Sequence, residues 1–266
     1  MRLPTSLTLF LVALGGVSAS AQAPAEFSAD RPGFAEATDT VPTRSFQIEG
    51  GFLVDADTAD KGTVHRLLLP QTLLRVGLTR RIELRLSSDG YVWQRTGISN
   101  GSAGSSNASS RIEGLSDLVV GTKIHLREAR GWRPALAIVA AVSLPTGASA
   151  LTSSGADPLV KLDWSGTLPD DFGLGGSLAI GSRTVGSDRQ TTNALSIGLT
   201  HGLPASLDGF VEIYRLGASG DEASWTVDGG VSRLLGTRTQ VDLSGGHTVN
   251  RNSHYWFVSG GISVRL

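Results

Sequence analysis

The sequence predicts an all-β chain: a transmembrane up-and-down antiparallel β-barrel of about twelve strands, preceded by an N-terminal arm. Three observations carry this expectation. The chain closes on a clean two-residue alternation, with Trp256, Val258, Gly260, Ile262, Val264 and Leu266 on one face and Phe257, Ser259, Gly261, Ser263 and Arg265 on the other. A strand that runs to its own last residue is an aggregation-prone edge in water, so it is expected to pair with the first strand. Past the N-terminal region no stretch has the unbroken apolar length of a membrane helix, and the closed barrel is the other arrangement that satisfies its own backbone in lipid. The connections between alternating segments, finally, alternate between short and long.

The N-terminus sets the compartment. Arg2, the apolar run Leu7, Leu9 to Leu14 and the small-residue pattern Ala19-Ser20-Ala21 read as a secretory signal peptide over residues 1–21. Its apolar core is too short to span ~30 Å of hydrocarbon as a helix. Residues 22–43 carry no period and read as the arm; 44–266 read as the barrel.

Composition narrows the function classes. Gly is 34 of 266 residues, well above the usual ~7 %. The absence of Cys rules out a disulfide scaffold and thiol catalysis. A net charge of −1 gives no electrostatic case for nucleic acid.

The strands follow in order, each by its apolar face. The first sets Phe46, Ile48, Gly50 and Phe52 against Gln47, Glu49 and Gly51; the second sets Leu68, Pro70, Thr72, Leu74, Val76 and Leu78 against Gln71 and Arg75. The third opposes Ile82, Leu84 and Leu86 to Glu83 and Arg85, and Tyr91 and Trp93 break its parity, which a bulge near Gly90 explains. The fourth opposes Leu118, Val120, Thr122, Ile124 and Leu126 to Asp117, Lys123 and His125, and the fifth runs from Leu136 to Leu144. Val160, Leu162 and Trp164 face away from Lys161 and Asp163 on the sixth; Phe172 to Ile180 and Leu195 to Leu199 form the next two. Leu207, Val211 and Ile213 oppose Asp208, Glu212 and Tyr214; Trp225, Val227 and Val231 oppose Thr226 and Asp228; Val241 and Leu243 oppose Gln240 and Asp242. The C-terminal strand makes twelve.

Connections at Asp55 to Val64, Gln94 to Arg111, Thr146 to Asp157 and Arg183 to Thr191 are long, whereas Thr79 to Arg81, Arg127 to Gly131 and Pro169 to Asp171 are short. Short turns are expected at the periplasmic side and long loops, Gly101 to Asn107 among them, outside the cell. The apolar faces carry no charge in their middle, so they are expected to meet lipid, with Phe46, Trp132, Phe172, Trp225 and Trp256 near the rims.

The inward face then collects Glu49, Arg75, Glu83, Arg85, Asp117, Lys123, Lys161, Asp163, Asp208, Glu212, Asp228 and Asp242. Two readings stand side by side: these charges mark a permeation path, or they pair with one another to fill an intermediate lumen. Eight acids against four bases give a conducting pore a modest cation preference.

Ala29-Asp30-Arg31-Pro32-Gly33-Phe34, then Glu36, Val41-Pro42 and Phe46-Gln47-Ile48-Glu49-Gly50-Gly51, resemble the opening of the outer-membrane barrel family called the MetA pathway of phenol degradation. Gly114-Leu115-Ser116-Asp117-Leu118 and Ser143-Leu144-Pro145-Thr146-Gly147 are similar to two further signatures of that family. The resemblance implies an outer-membrane channel or transporter that passes small aromatic or apolar compounds, with membrane lipid as its surroundings. The arm is expected to lie in or across the barrel mouth: Pro32 and Gly33 set a turn, Phe34 supplies an apolar anchor, and Asp30, Arg31 and Glu36 pair with inward charges such as Arg75, Arg85 or Lys123.

The rival class is an outer-membrane enzyme of lipase type, which needs a nucleophile, a base and an orienting group in contact. His65, His125, His201, His247 and His254 are the candidate bases, and no Ser stands in a G-x-S-x-G setting. No His group has metal-ligand spacing, and Asp55, Asp57 and Asp60 lack the Gly and Glu of a calcium loop. Neither cofactor nor metal is expected. A structural or adhesive barrel is the third class, and nothing in the sequence names a protein partner.

Overall fold

A computed structural model of the chain describes residues 26–59, 62–98, 109–249 and 254–266. The signal-peptide segment 1–21 and the loop Gly101 to Asn107 lie outside the described residues. Fourteen hydrogen-bonded segments form one antiparallel sheet: β1 (Phe46–Ala59), β2 (Gly62–Gly77), β3 (Ile82–Ser88), β4 (Tyr91–Ile98), β5 (Ser109–Leu115), β6 (Leu118–Arg127), β7 (Ala135–Leu144), β8 (Asp157–Thr167), β9 (Gly173–Val185), β10 (Asp188–Leu203), β11 (Leu207–Ala218), β12 (Ser224–Leu235), β13 (Thr239–Thr248) and β14 (His254–Arg265). Because β2 pairs with both β3 and β4, and those two pair with β6 and β5, each of these couples is one wall strand in two halves. The barrel therefore has twelve walls.

Closure comes from the two ends of the chain. β1 and β14 pair from Gln47↔Arg265 to Thr58↔His254, and the Leu266 N–H donates to the Phe46 carbonyl at 2.7 Å. No edge remains between them for another chain to extend.

Burial is inverted relative to a soluble protein. Leu84 (48 % exposed), Ile180 (61 %) and Val211 (60 %) stand on the outer face, while Arg75, Glu83, Lys123 and Asp163 are fully buried within. Strand parity sorts apolar atoms to lipid and charge to the lumen, the arrangement of outer-membrane barrels.

Two expectations about boundaries are corrected. The connections Asp55 to Val64 and Arg183 to Thr191 are mostly strand: β1 runs to Ala59 and β9 to Val185, so these hairpins extend beyond the apolar belt. Backbone pairing needs no lipid-facing side chain, so the ladder continues where the apolar signal stops. Around Gly90 the parity does flip, and the distortion begins one wall earlier, where the β1 to β2 register shifts between Gly51 and Leu53. The registers of β2 with β3 and β4 are continuous across it, Thr72↔Ser88 and Leu69↔Tyr91, so neighbouring walls kink together. Gly90 adopts φ 74°, and a Cβ there would lie 2.1 Å from the Pro70 carbonyl oxygen, so only Gly fits. Beyond the kink, Tyr91 and Trp93 sit opposite Leu69 and Leu67, away from the lumenal Arg66–Asp55 pair.

Candidate functional site

The lumen is divided by charge before the arm is considered. Alternation on β2, β3, β6 and β8 aims Arg75, Arg85, Lys123 and Lys161 inward, while β11, β12 and β13 aim Glu212, Asp228 and Asp242. Glu49 and Glu83 stand among the bases: Arg75 pairs with both at 2.9 Å, and Arg85 contacts Glu83 at 3.0 Å. Lys123 and Lys161 meet no carboxylate of the wall, and Arg85 only shares Glu83 with Arg75.

The arm, residues 26–43 of the described chain, supplies the missing carboxylates. Asp30 receives Arg85 at 2.6 Å, Lys123 at 2.9 Å and Arg75 at 3.6 Å. Glu36 receives Lys161 at 2.5 Å, Arg85 at 2.9 Å and Lys123 at 3.5 Å. Burial alone would raise both arm carboxyls; around Asp30 the charges of Arg75, Lys123 and Arg85 outweigh it and hold the group well below the usual carboxylate range. Against the same burial, Lys161 and Arg85 hold Glu36 at about 2.

Arg31 turns the opposite way. It donates to Asp242 at 3.0 Å and to Ser259 at 3.0 Å, so its partner is the acidic wall and not the expected Arg75, Arg85 or Lys123, which like charge forbids. The guanidinium lies over two glycines: a Cβ on Gly51 or Gly261 would come within 2.7 or 2.4 Å of it. Phe34 stacks on Tyr214 with ring centres 4.4 Å apart, and the Phe34 and Ala35 N–H groups donate to Glu212 at 2.7 and 2.9 Å. Pro32 and Gly33 turn the chain between these anchors, with Gly33 against Phe210 and Glu212.

Backbone contacts complete the attachment. Glu49 accepts from the Asp30 and Arg31 N–H groups, Glu83 from Val41 N–H at 2.8 Å, and Lys123 donates to the Ala37 carbonyl at 2.7 Å. His125 Nδ1 lies 2.9 Å from the Thr38 carbonyl. Gln47, fully buried, donates to Ser28 O, and Arg265 covers the Phe27 ring at 4.9 Å.

Four of the inward charges stand outside this network. Asp117 accepts from Thr146 N, Gly147 N, Thr152 Oγ1 and Ser153 N, so it latches the loop after β7. Asp208 is exposed beside the turn Pro204–Ser206. Asp163 accepts from Ser177, and Asp228 faces Glu212 across β11 and β12. Sequence reasoning missed Gln47, His125, Arg265 and the Asp55–Arg66 pair as partners in the lumen. Their parity was readable; their contacts needed the arm and the strand extensions in place.

The docked arm separates two spaces. One, of about 430 Å³, lies toward the short turns between the arm and β8 to β11, bounded by Phe34's neighbours Gly33 and Ala35 and by Gly175, Gly198 and Phe210. The other, of about 390 Å³, lies on the far side among Gln71, Ser88, Asp117 and Leu151. Arg31 borders both, which makes it the partition.

Among the described residues the five histidines form no cluster suited to a metal ion. His125 is committed to the arm, His201 stacks on Phe172 at 4.1 Å, and His247 contacts the Thr248 carbonyl.

Comparison with known proteins agrees with this architecture. The family described as "Putative MetA-pathway of phenol degradation" matches residues 29–266. No curated protein matches the sequence. Among solved structures, the COG4313 outer membrane channel from Pseudomonas putida F1 aligns over 88 % of this chain and 99 % of its own, at 13 % identity and a TM-score of 0.56. The β domain of the Bordetella autotransporter BrkA aligns over 83 % and 99 %, at 12 % identity and 0.54. The translocator domain of NalP from Neisseria meningitidis aligns over 89 % and 90 %, at 10 % identity and 0.51. At such identities the likeness is one of fold, a fold found in Gram-negative outer-membrane proteins.

Proposed function

The chain belongs to the family described as "Putative MetA-pathway of phenol degradation", and on that premise we propose that it is an outer-membrane channel for small aromatic or apolar compounds, exported by its N-terminal signal and narrowed by the arm Phe27 to Pro42. The observation that carries this reading is the partition at Arg31, a polar lumen narrowed by a segment whose side chains and backbone are both held by side chains of the wall. Such a plug is removable without breaking a single strand ladder.

The charges serve both readings set out from the sequence. Those that meet the arm are its dock; Asp163 and Asp228, beyond it, face the rest of the lumen. A non-enzymatic role is supported by the commitment of His125 to the arm and by the channel named among the fold relatives.

The test is single-channel recording from the refolded protein in planar bilayers, beside a form lacking residues 25–42 with the signal peptide kept. Small conductance from the intact chain and a several-fold larger one from the deletion are expected. Unchanged conductance, with the arm equally protease-sensitive in folded and unfolded protein, would reduce the segment to a tail. Release of fatty acid from phospholipid by the purified barrel would favour the enzyme instead.

A further inference from the structure

At the short-turn end the barrel rim is strongly uneven in charge. The turn Pro169–Asp171 carries Asp170 and Asp171, the turn Pro204–Ser206 carries no charge, and the turn from β12 to β13 carries one base, Arg238. On the side of β3, β6 and β7, by contrast, Arg80, Arg81, Arg127, Arg130 and Arg133 gather on two adjacent connections. Adjacency is set by the sheet: β3 pairs with β6, Ile82 opposite Ile124, and the His125 N–H donates to the Arg81 carbonyl at 2.8 Å.

The β6 to β7 connection is itself built. Arg130 and Arg133 exchange backbone hydrogen bonds at 2.9 and 3.2 Å across Gly131, whose φ is 58°, so a tight hairpin tip is held beyond the wall. At that tip Trp132 is 89 % exposed, more than any other large apolar side chain described, with the Arg133 guanidinium 5.7 Å from its ring. Arg127 donates to the Pro134 carbonyl at 3.0 Å. Among the described residues Arg81, Arg127, Arg130 and Arg133 pair with no carboxylate, while in the lumen Arg75, Arg85, Lys123 and Lys161 all do. Glu128, the acid of this connection, is turned to His125 at 3.1 Å.

We propose that this arginine and tryptophan rim is a docking surface for the phosphate headgroups of anionic phospholipid in the adjoining leaflet. On β3 and β6 the lipid-facing row ends at Ile82 and at the exposed Leu126, and the arginines begin at the next residue, Arg81 and Arg127. They therefore fall in the headgroup layer, some 5–8 Å deep on each side of the hydrocarbon. Guanidinium binds phosphate in a bidentate fork, and an indole ring beside it prefers the same interface. A zwitterionic headgroup also offers a phosphate, but its own ammonium offsets the field of four unpaired cations; phosphatidylglycerol does not. The sector is fixed by the fold and is independent of whether the lumen conducts.

The experiment uses the full chain in vesicles of phosphatidylethanolamine with about one-third phosphatidylglycerol, with bromine on the acyl chains of one lipid or the other as a quencher. The difference between the intact protein and Trp132→Phe isolates the Trp132 emission. Trp132 is expected to be quenched preferentially by the brominated phosphatidylglycerol, with at least about fivefold local enrichment, the factor that one basic residue is worth at an anionic surface. R81Q/R127Q/R130Q/R133Q should abolish the preference while the protein keeps the gel mobility of the folded barrel; if that variant does not fold, R130Q/R133Q should reduce it. Equal quenching by both lipids, or a preference that survives the substitutions, would overturn the proposal.

Discussion

Asp30 shows how one residue fixes the state of the lumen. Its carboxylate is shared by Arg85, Lys123 and Arg75, so Asp30→Asn leaves three buried cations facing a neutral amide. Removing one partner of a buried pair typically costs about 3–5 kcal/mol, enough to shift the arm from docked to released. The expected outcome is a several-fold rise in mean single-channel conductance with the barrel still folded on gels. The pH response follows from the depressed acids of the arm. A carboxylate whose folded value is lowered contributes stability above its unfolded value, and loses it as pH falls through the folded one. For Glu36 that window runs from its ordinary 4.5 down to about 2. Conductance of the intact chain should thus stay flat from pH 8 to 5 and rise in the window below; a steep change near neutrality would show that other groups govern docking.

At the scale of elements, the shared kink of β2, β3/β4 and β5/β6 is what a single substitution exposes best. Gly90→Ala combines a positive φ with a Cβ 2.1 Å from the Pro70 carbonyl oxygen. Strain of this kind costs on the order of 1–3 kcal/mol, so the urea midpoint of unfolding should fall accordingly. Gly131→Ala, at φ 58° with open space around its Cβ, should cost less, since only the dihedral term applies. Equal effects at the two positions would mean that the contact at Pro70 is relieved by movement of the strand. The hairpins beyond the apolar belt explain the loop-length contrast at the sequence level: polar alternation in β1 to Ala59 and in β10 from Asp188 continues the ladder without a lipid-facing signature.

For the whole molecule the fold sets two measurable properties, orientation and ion preference. Ser187, exposed in the β9 to β10 turn, and Asp170, exposed in the turn Pro169–Asp171, stand at opposite ends. A Cys in place of Ser187 should label on intact cells with an impermeant maleimide, and one in place of Asp170 should not; the reverse pattern would invert the barrel. Ion preference is weaker than the eight acids and four bases of the sequence suggest. Asp117 is taken by a loop, Asp208 sits exposed at the mouth, and Arg66 and Arg265 add two lumenal bases against Asp55. A salt gradient across the form without the arm should therefore give only a small reversal potential of cation-selective sign. A clear anion preference would show that the bases of β2, β3, β6 and β8 dominate the path once Asp30 and Glu36 are gone.

The sequence by itself determined the barrel, its twelve walls and the sorting of faces, because a period of two in a chain without membrane helices leaves few ways to satisfy a backbone in lipid. Glu49, Arg75, Glu83, Arg85, Lys123 and Lys161 were legible as inward for the same reason: parity is a local property. Only the tertiary structure decided which charges meet. Arg31 finds Asp242, 211 positions away, because closure through β1 and β14 brings β13 beside the start of the chain. Asp117 leaves the lumen for a loop because four donors there outbid a distant base. Partner choice in a barrel depends on distances across the lumen, which strand tilt, the kink and the path of the arm set together, and no local pattern records them.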